Sequence, residues 1–422
     1  MDQPLAQSLA ALPAPAAAPS QPQAQAAAAT ALRSRVALFT GCQDRPYALG
    51  LASALAVQGI SFDFIGSDEI DGPELHSNHL IKFLNLRGDQ NHHASLLDKT
   101  KRILLYYLRL CRYALLTDAK VFHLLWNDKF ELFDRTLLKL FYRLLGRRLV
   151  FTAHNVNVAK RDGNDSWFNR FSLRIQYHLV HHIFVHTEKM KTELIADFGV
   201  PAERVNVIPL GLNETAPTTS LTSPEARCQF GFDQSHKTML FFGRITPYKG
   251  LEFLIEALAA LLKRDPSYRL IIAGPIKGAA DYWHQVQQAI KLAGVSNAII
   301  QKIEFVPDDK VEGFFKAADV LLLPYTHIFQ SGLLSLGYSF GLPIIASDVG
   351  SLRADIFEGH TGFVCRPQDS ADLARTIEKY FSSDLYRELP QRRPLIRAYA
   401  DDRFSWTKIG RVTKSVYSDL LA

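Results

Sequence analysis

Two cations five residues apart, Arg244 and Lys249, follow the apolar run 238–242 and precede a segment with helical spacing, 251–258. Gly243, Pro247 and Gly250 punctuate the turn that carries them. At the carboxyl ends of strands in an open parallel sheet, ligands gather in a crevice. Two positive side chains there suit a diphosphate, which concentrates negative charge and offers many acceptor oxygens. An isolated R-x4-K pair is more often two solvated surface cations, so the flanking segments have to decide.

Other residues have the chemistry to join them. Residues 330–334, Gln-Ser-Gly-Leu-Leu, follow an apolar run ending in Pro324 and Tyr325. Small residues that open a helix leave backbone N–H groups at its positive end, an anion site formed here by Ser331, Gly332 and Leu333. His154 ends the apolar strand 149–153, so its imidazole points into a crevice, with Asn155 and Asn157 close by as neutral hydrogen-bonding groups. His181, His182 and His186 form a histidine cluster, but strand alternation sends 181 and 182 to opposite faces and no carboxylate completes a site. No metal is expected. Residues 40–47, Thr-Gly-Cys-Gln-Asp-Arg-Pro-Tyr, lack G-x-G-x-x-G, which makes a nicotinamide dinucleotide site improbable. Gly41 in that stretch is either a simple turn residue or a glycine facing a cleft.

The elements that must position these residues alternate. Strand-like runs at 36–40, 62–66, 121–125, 149–153 and 183–186 interleave with helical patterns at 46–58, 95–116, 129–145, 166–180 and 188–198. The alternation resumes from Lys237 to about 382, which predicts two doubly wound α/β domains. The spacing divides the chain into a tail 1–33, a first domain 34–213, a linker 214–236, a second domain 237–403 and a terminal helix 404–422. The tail is Ala, Pro and Gln with almost no large apolar side chain, so it cannot bury enough surface to order itself.

The motif Gly243-Arg244…Lys249-Gly250 resembles the G-R-x-x-x-x-K-G signature of GT4-type glycosyltransferases, retaining enzymes of the GT-B fold. Residues 207–213, Val-Ile-Pro-Leu-Gly-Leu-Asn, are similar to that family's V-I-P-N-G-V-D. Segments 268–275, 317–325, 341–347 and 359–364 continue the series in order. The resemblance implies two Rossmann-like domains facing across a cleft, with the terminal helix packing back on the first domain. It implies that Gly243, Arg244 and Lys249 hold a nucleotide-diphosphate sugar, together with Gln330, Ser331, Gly332 and Leu333. It also implies catalytic roles for Arg244, Lys249 and His154, with Gly41 and Asn155 on the acceptor side and no bound metal or other cofactor. One departure is plain. The family's E-x7-E falls on Ile328 and Leu336, neither acidic, and Gln330 lies within two residues of the first position.

Length, charge and cysteines agree with this reading. A chain of 422 residues suits two domains. Cys42, Cys111, Cys228 and Cys365 are too scattered for a metal framework and read as free thiols of a reducing compartment. No stretch is long and apolar enough to predict a transmembrane helix. With a net charge of +6, the basic row Arg135, Lys139, Arg143 and Arg147 and the cations of 99–112 suggest peripheral contact with an anionic membrane, against a solvated helix face. No nucleic-acid module appears. The expected protein is a glycosyltransferase, cytoplasmic or at the inner face of the cell membrane, acting on a saccharide or lipid-linked acceptor in surface-polysaccharide assembly. A nucleotide-sugar epimerase and a non-catalytic nucleotide-sugar-binding scaffold stay open as alternatives.

Overall fold

The computed structural model describes residues 35–91, 94–161, 164–213, 216–276 and 278–422. The tail 1–33 and the first two residues of the linker, Glu214 and Thr215, lie outside the described residues. Seven parallel strands form one sheet: β1 Val36–Phe39, β2 Phe62–Gly66, β3 Ile81–Asn85, β4 Val121–Leu124, β5 Arg148–Thr152, β6 His182–Val185 and β7 Val205–Val207. Six more form a second: β8 Lys237–Phe242, β9 Tyr268–Ala273, β10 Ile299–Lys302, β11 Val320–Leu323, β12 Ile344–Ser347 and β13 Gly362–Cys365. The orders are β3-β2-β1-β4-β5-β6-β7 and β10-β9-β8-β11-β12-β13. Two doubly wound parallel sheets are what the alternating pattern predicts.

Central strands such as β1 and β11 are short, wholly buried apolar runs, as a parallel sheet covered on both faces requires. All five strands expected in the first domain are present, with ends within one residue of their predicted limits. Sequence reasoning missed β3 and β7. The first is a half-exposed edge strand and the second has only three residues, so neither gives a buried apolar run.

Strand order reverses between β1 and β4 in the first sheet and between β8 and β11 in the second. Connections diverge to either side at such a point, leaving a crevice beyond the strands' carboxyl ends. The helices that frame it are α1 Arg45–Val57, α2 Leu96–Leu116, α3 Trp167–Leu179, α4 Leu251–Leu262, α5 Gly332–Ser339 and α6 Trp406–Leu421. Helix α6 leaves the second domain and lies on the first, where the Tyr417 hydroxyl meets His123 Nδ1 at 2.6 Å. Between β4 and β5 the chain is helical over Glu131–Phe133 and Lys139–Leu144, with a π turn at Asp134–Leu138 between them. This segment packs between α2 and α3. Tyr107 of α2 donates to Asp134 at 2.8 Å, and Arg135 donates to Asn169 of α3 at 2.9 Å.

The basic row expected over Arg135, Lys139, Arg143 and Arg147 does not form a surface. Lys139 is fully buried and donates to Asn127 Oδ1 at 2.7 Å and to the Asp134 carbonyl at 3.1 Å. Arg147 lies beyond the helix and donates to the carbonyls of Ala114, Thr117 and Ala119, closing the end of α2. The cause is local. A π turn inserts an extra residue, so four-residue spacing no longer keeps one face, and unsatisfied helix-end carbonyls attract a guanidinium.

Candidate active site

A cavity of about 580 Å³ opens between the two domains. Its walls come from loops after β1, β4 and β5 on one side and after β8 and β11 on the other, with Trp406 of α6 closing one end. Both topological reversals therefore face the same space. His154, Asn155, Arg244, Lys249, Gln330, Ser331, Gly332 and Leu333 all line it.

The cationic wall is built by a tight turn. Gly250 has φ 64°, and a Cβ there would meet the Pro324 carbonyl oxygen at 2.1 Å, so only glycine brings this loop against the end of β11. Lys249 is consequently buried, with its ammonium 3.4 Å from the Phe242 carbonyl and beside the rings of Phe241 and Tyr325. Burial, and then the neighbouring Arg244, pulls its pKa down to about 7. An entering diphosphate would restore its charge. Gly243 does not line the cavity itself. It lies under the Lys249 ammonium, where a Cβ would come within 2.9 Å of Nζ.

The second wall is the start of α5. Ser331 is its N-cap and accepts from the Leu333 N–H at 3.3 Å, while its hydroxyl lies 3.4 Å from that of Tyr325. The Leu333 amide is therefore already engaged, and its isobutyl group faces the cavity instead. Ile328 and Leu336 line the cavity too. Hydrophobic side chains thus stand where the family pattern would put carboxylates.

The third wall is aromatic. Trp126 stacks on His154 with ring centroids 4.1 Å apart, and Tyr47 meets His154 edge-on at 4.6 Å. Behind them, His186 Nδ1 lies 3.1 Å from the Ile208 carbonyl, and its Nε2 lies 3.1 Å from His154 Nδ1. Burial holds His186 down to about 4 and His154 well below its usual value, so both rings are neutral. A carbonyl only accepts, which puts the His186 proton on Nδ1. His154 must then donate from Nδ1, leaving its Nε2 as a bare acceptor. That atom is buried and has no hydrogen-bond partner among the described residues, while His154 as a residue lines the cavity.

Other expectations divide. Asn155 lines the cavity. Asn157 is buried and instead accepts from Asn169 at 2.9 Å and from the Lys160 amide at 3.2 Å, fixing the loop. Gly41 does not reach the cavity. It packs against Trp126, where a Cβ would come within 2.8 Å of the Trp126 Cβ. The three histidines do not assemble. His181 accepts from the Leu149 amide at 3.0 Å, and no group of three possible ligands occurs among the described residues.

Sequence reasoning missed Asp44, Trp126, His186 and Trp406. Asp44 caps α1, accepting from the Tyr47 amide at 3.3 Å, and is the only carboxylate lining the cavity among the described residues. Burial raises its pKa. Its signal was available in Asp-x-Pro at the start of a helix. Trp126 follows β4 as His154 follows β5, so the same strand-end rule would have found it.

Residues 46–215 match the model of the family described as Glycosyltransferase Family 4, and residues 236–383 match that of Glycosyl transferases group 1. A D-inositol 3-phosphate glycosyltransferase from an Arthrobacter species is 28% identical over 56% of this chain and 55% of its own. One from Streptomyces bingchenggensis is 30% identical over 57% of this chain and 53% of its own. The chain thus spans about half the length of these curated relatives. Among solved structures, Anabaena HepE with UDP and glucose aligns at a TM-score of 0.67 and 19% identity, covering 91% of this chain and all of HepE. Sucrose-phosphate synthase from Thermosynechococcus elongatus aligns at 0.70 and 17% identity, covering 92% of this chain and 99% of its own. These two share the fold.

Proposed function

The chain belongs to the group 1 glycosyltransferase family and has its GT-B fold, and on that premise we propose that it transfers a sugar from a nucleoside-diphosphate donor to a saccharide or lipid-linked acceptor. The observation that carries this reading is the single cavity lined by Arg244, Lys249 and His154. The cations stabilise the departing diphosphate as its charge grows, a role in which fixed charges in a dry site are most effective. The start of α5 adds N–H groups of Ser331 and Gly332, and Gln330 adds a neutral hydrogen-bonding group. His154 Nε2 accepts from a sugar hydroxyl and fixes the ring. The bond from anomeric carbon to phosphate oxygen breaks, and the acceptor oxygen takes its place. With retention, which the family resemblance implies, the acceptor proton leaves to the departing phosphate on the same face.

UDP sugars are the first donors to test, since the HepE structure contains UDP. The expected place of action is the cytoplasmic face of a membrane, in surface-polysaccharide or glycolipid assembly. No helix among the described residues is long and apolar enough to cross one. A second reading has its own observation. Leu336 and Ile328 line the cavity where ribose-binding and sugar-binding carboxylates would stand, which favours a nucleotide-sugar-binding scaffold. An epimerase needs an acid and a base beside the sugar, and among the described residues Asp44 alone offers this cavity a carboxylate.

Thermal shift with a panel of nucleoside diphosphates, followed by donor turnover with and without acceptors, separates these readings. A transferase releases nucleotide in an acceptor-dependent way. Binding without turnover across the panel would leave the scaffold, and acceptor-independent change of the sugar would leave the epimerase.

A further inference from the structure

Helix α2 buries Tyr106, Tyr107, Leu110 and Ala114 against the first sheet. Its opposite face reads Leu97, Lys101, Leu104, Leu108, Arg112 and Leu115, a single stripe at three- and four-residue spacing that points to solvent. Leu97 is 80% exposed and Leu108 67%. The neighbouring Glu131–Leu144 segment adds Leu137, Leu140 and Leu144, and α3 adds Trp167 stacked on Phe171 with Phe168 beside them. Of 22 exposed large apolar side chains among the described residues, 14 lie on these three adjoining helices. Scattered single apolar side chains are ordinary on a surface, whereas a contiguous concentration marks an interaction face.

The charges on this face select the occupant. Lys101, Arg109, Arg112, Arg143, Arg170 and Arg174 are exposed on the three helices, against two exposed carboxylates there, Asp98 and Glu131. Arg170 is paired with Asp165, and Arg109 and Arg143 donate to the Leu86 and Leu179 carbonyls. Glu131 is already paired with Arg135, and Asp98 accepts from the Ser95 hydroxyl at 2.6 Å. Lys101 and Arg112 make no ion pair among the described residues. A second copy of the chain docking on the same patch would set cations against cations. A surface that is apolar below and anionic above matches both features at once.

We propose that the outer faces of α2, of Glu131–Leu144 and of α3 form a docking surface for an anionic lipid bilayer, the Leu and aromatic side chains entering the interface and the cations meeting lipid phosphates. This gives the membrane contact of the proposed function a defined location, to which the basic row contributes Arg143 while Lys139 and Arg147 are buried. The aromatic group at the start of α3 supplies side chains that settle at headgroup depth.

The test is vesicle flotation of the purified chain without nucleotide, so that its failure leaves the cleft reading untouched. Vesicles are phosphatidylcholine alone or an equal mixture with phosphatidylglycerol. Binding to the mixed vesicles is expected to exceed binding to neutral ones by at least about tenfold and to weaken with added salt. Leu104→Ser with Leu108→Ser abolishes it, and Lys101→Glu with Arg112→Glu weakens it about tenfold or more. All four positions face solvent, and matching melting curves by circular dichroism verify folding. Equal binding to both vesicle types overturns the proposal, as does unchanged binding by either double variant. So does dimerisation abolished by the Leu pair in a chain that ignores vesicles, which would assign the face to a second copy.

Discussion

The indole of Trp126 lies flat on the imidazole of His154, with planes within 1° of parallel and centroids 4.1 Å apart. Two consecutive strand ends thereby fix one ring from the side while His186 fixes its proton from behind. A single neutral hydrogen bond contributes about 0.5–1.5 kcal/mol. His154→Ala is therefore expected to lower the rate of transfer by up to about tenfold while leaving nucleoside-diphosphate affinity within a factor of about two. Steady-state kinetics beside titration calorimetry check this. A loss of nucleotide affinity equal to the loss in rate would move His154 from the sugar to the phosphates.

Lys249 sets a pH dependence with a definite sign. Its pKa is pulled down to about 7 by burial and by Arg244, and a bound diphosphate would favour the protonated form. Donor binding then takes up a proton above pH 7, and affinity falls as pH rises from 7 to 9, approaching tenfold per unit. Calorimetry in two buffers of different ionisation enthalpy measures the proton directly. Lys249→Met should flatten the slope, and an unchanged slope in that variant would point to another group. In the free chain the same depression makes this group's contribution to stability rise with pH, from about 7 towards the unfolded lysine value near 10.4.

Replacing Arg244 and Lys249 together by Ala removes two charged hydrogen-bonding groups, each contributing about 1.5–3 kcal/mol. Nucleoside-diphosphate affinity is expected to fall by roughly 10²- to 10⁴-fold, with melting behaviour unharmed by the loss of Arg244. Lys249 is buried, and removing its charge relieves desolvation, so the double variant should melt no lower than wild type. Unchanged affinity would sink the assignment of this wall to the diphosphate.

Deep in the second domain, Asp319 pairs with Arg227 and accepts from the Thr238 amide at 2.8 Å. Both side chains are almost wholly buried. Asp319→Ala would leave a guanidinium and an amide without their acceptor, and breaking a buried pair from one side costs about 3–5 kcal/mol. Urea denaturation should show that loss. A change under about 1 kcal/mol would mean that the guanidinium's contacts to the Asp233 and His236 carbonyls suffice.

Legibility followed burial. Wholly buried strands such as β1 and β11 announce themselves as apolar runs, and the Arg244–Lys249 turn is legible because Gly, Pro and charge sit at fixed offsets after one of them. The half-exposed β3 and three-residue β7 give no such run. Arg147 reads as a surface cation because nothing local says that helix-end carbonyls will claim it. His186 reads as part of a histidine cluster because its true partner, His154, is 32 residues away and reachable only through strand pairing. Asp44 and Trp126 were within reach of strand-end and helix-start rules applied evenly, whereas Trp406 depends on a contact across the whole chain.

That contact constrains how the two halves can move. The polypeptide passes between the domains twice, once after Leu212 and once at Phe404. The two passages are tied together, with the Leu212 amide donating to the Phe404 carbonyl at 3.1 Å and the Trp406 indole donating to the Leu212 carbonyl at 2.8 Å. The indole is wedged so closely between Gly50 and Gly211 that a Cβ at either would come within 2.3 Å of it. Two separate crossings would act like the paired hinges of a door and allow swing about one line. Stitched at a single point beside the cavity, they act as a ball joint. Such a joint would let the second domain both close and twist over the cavity.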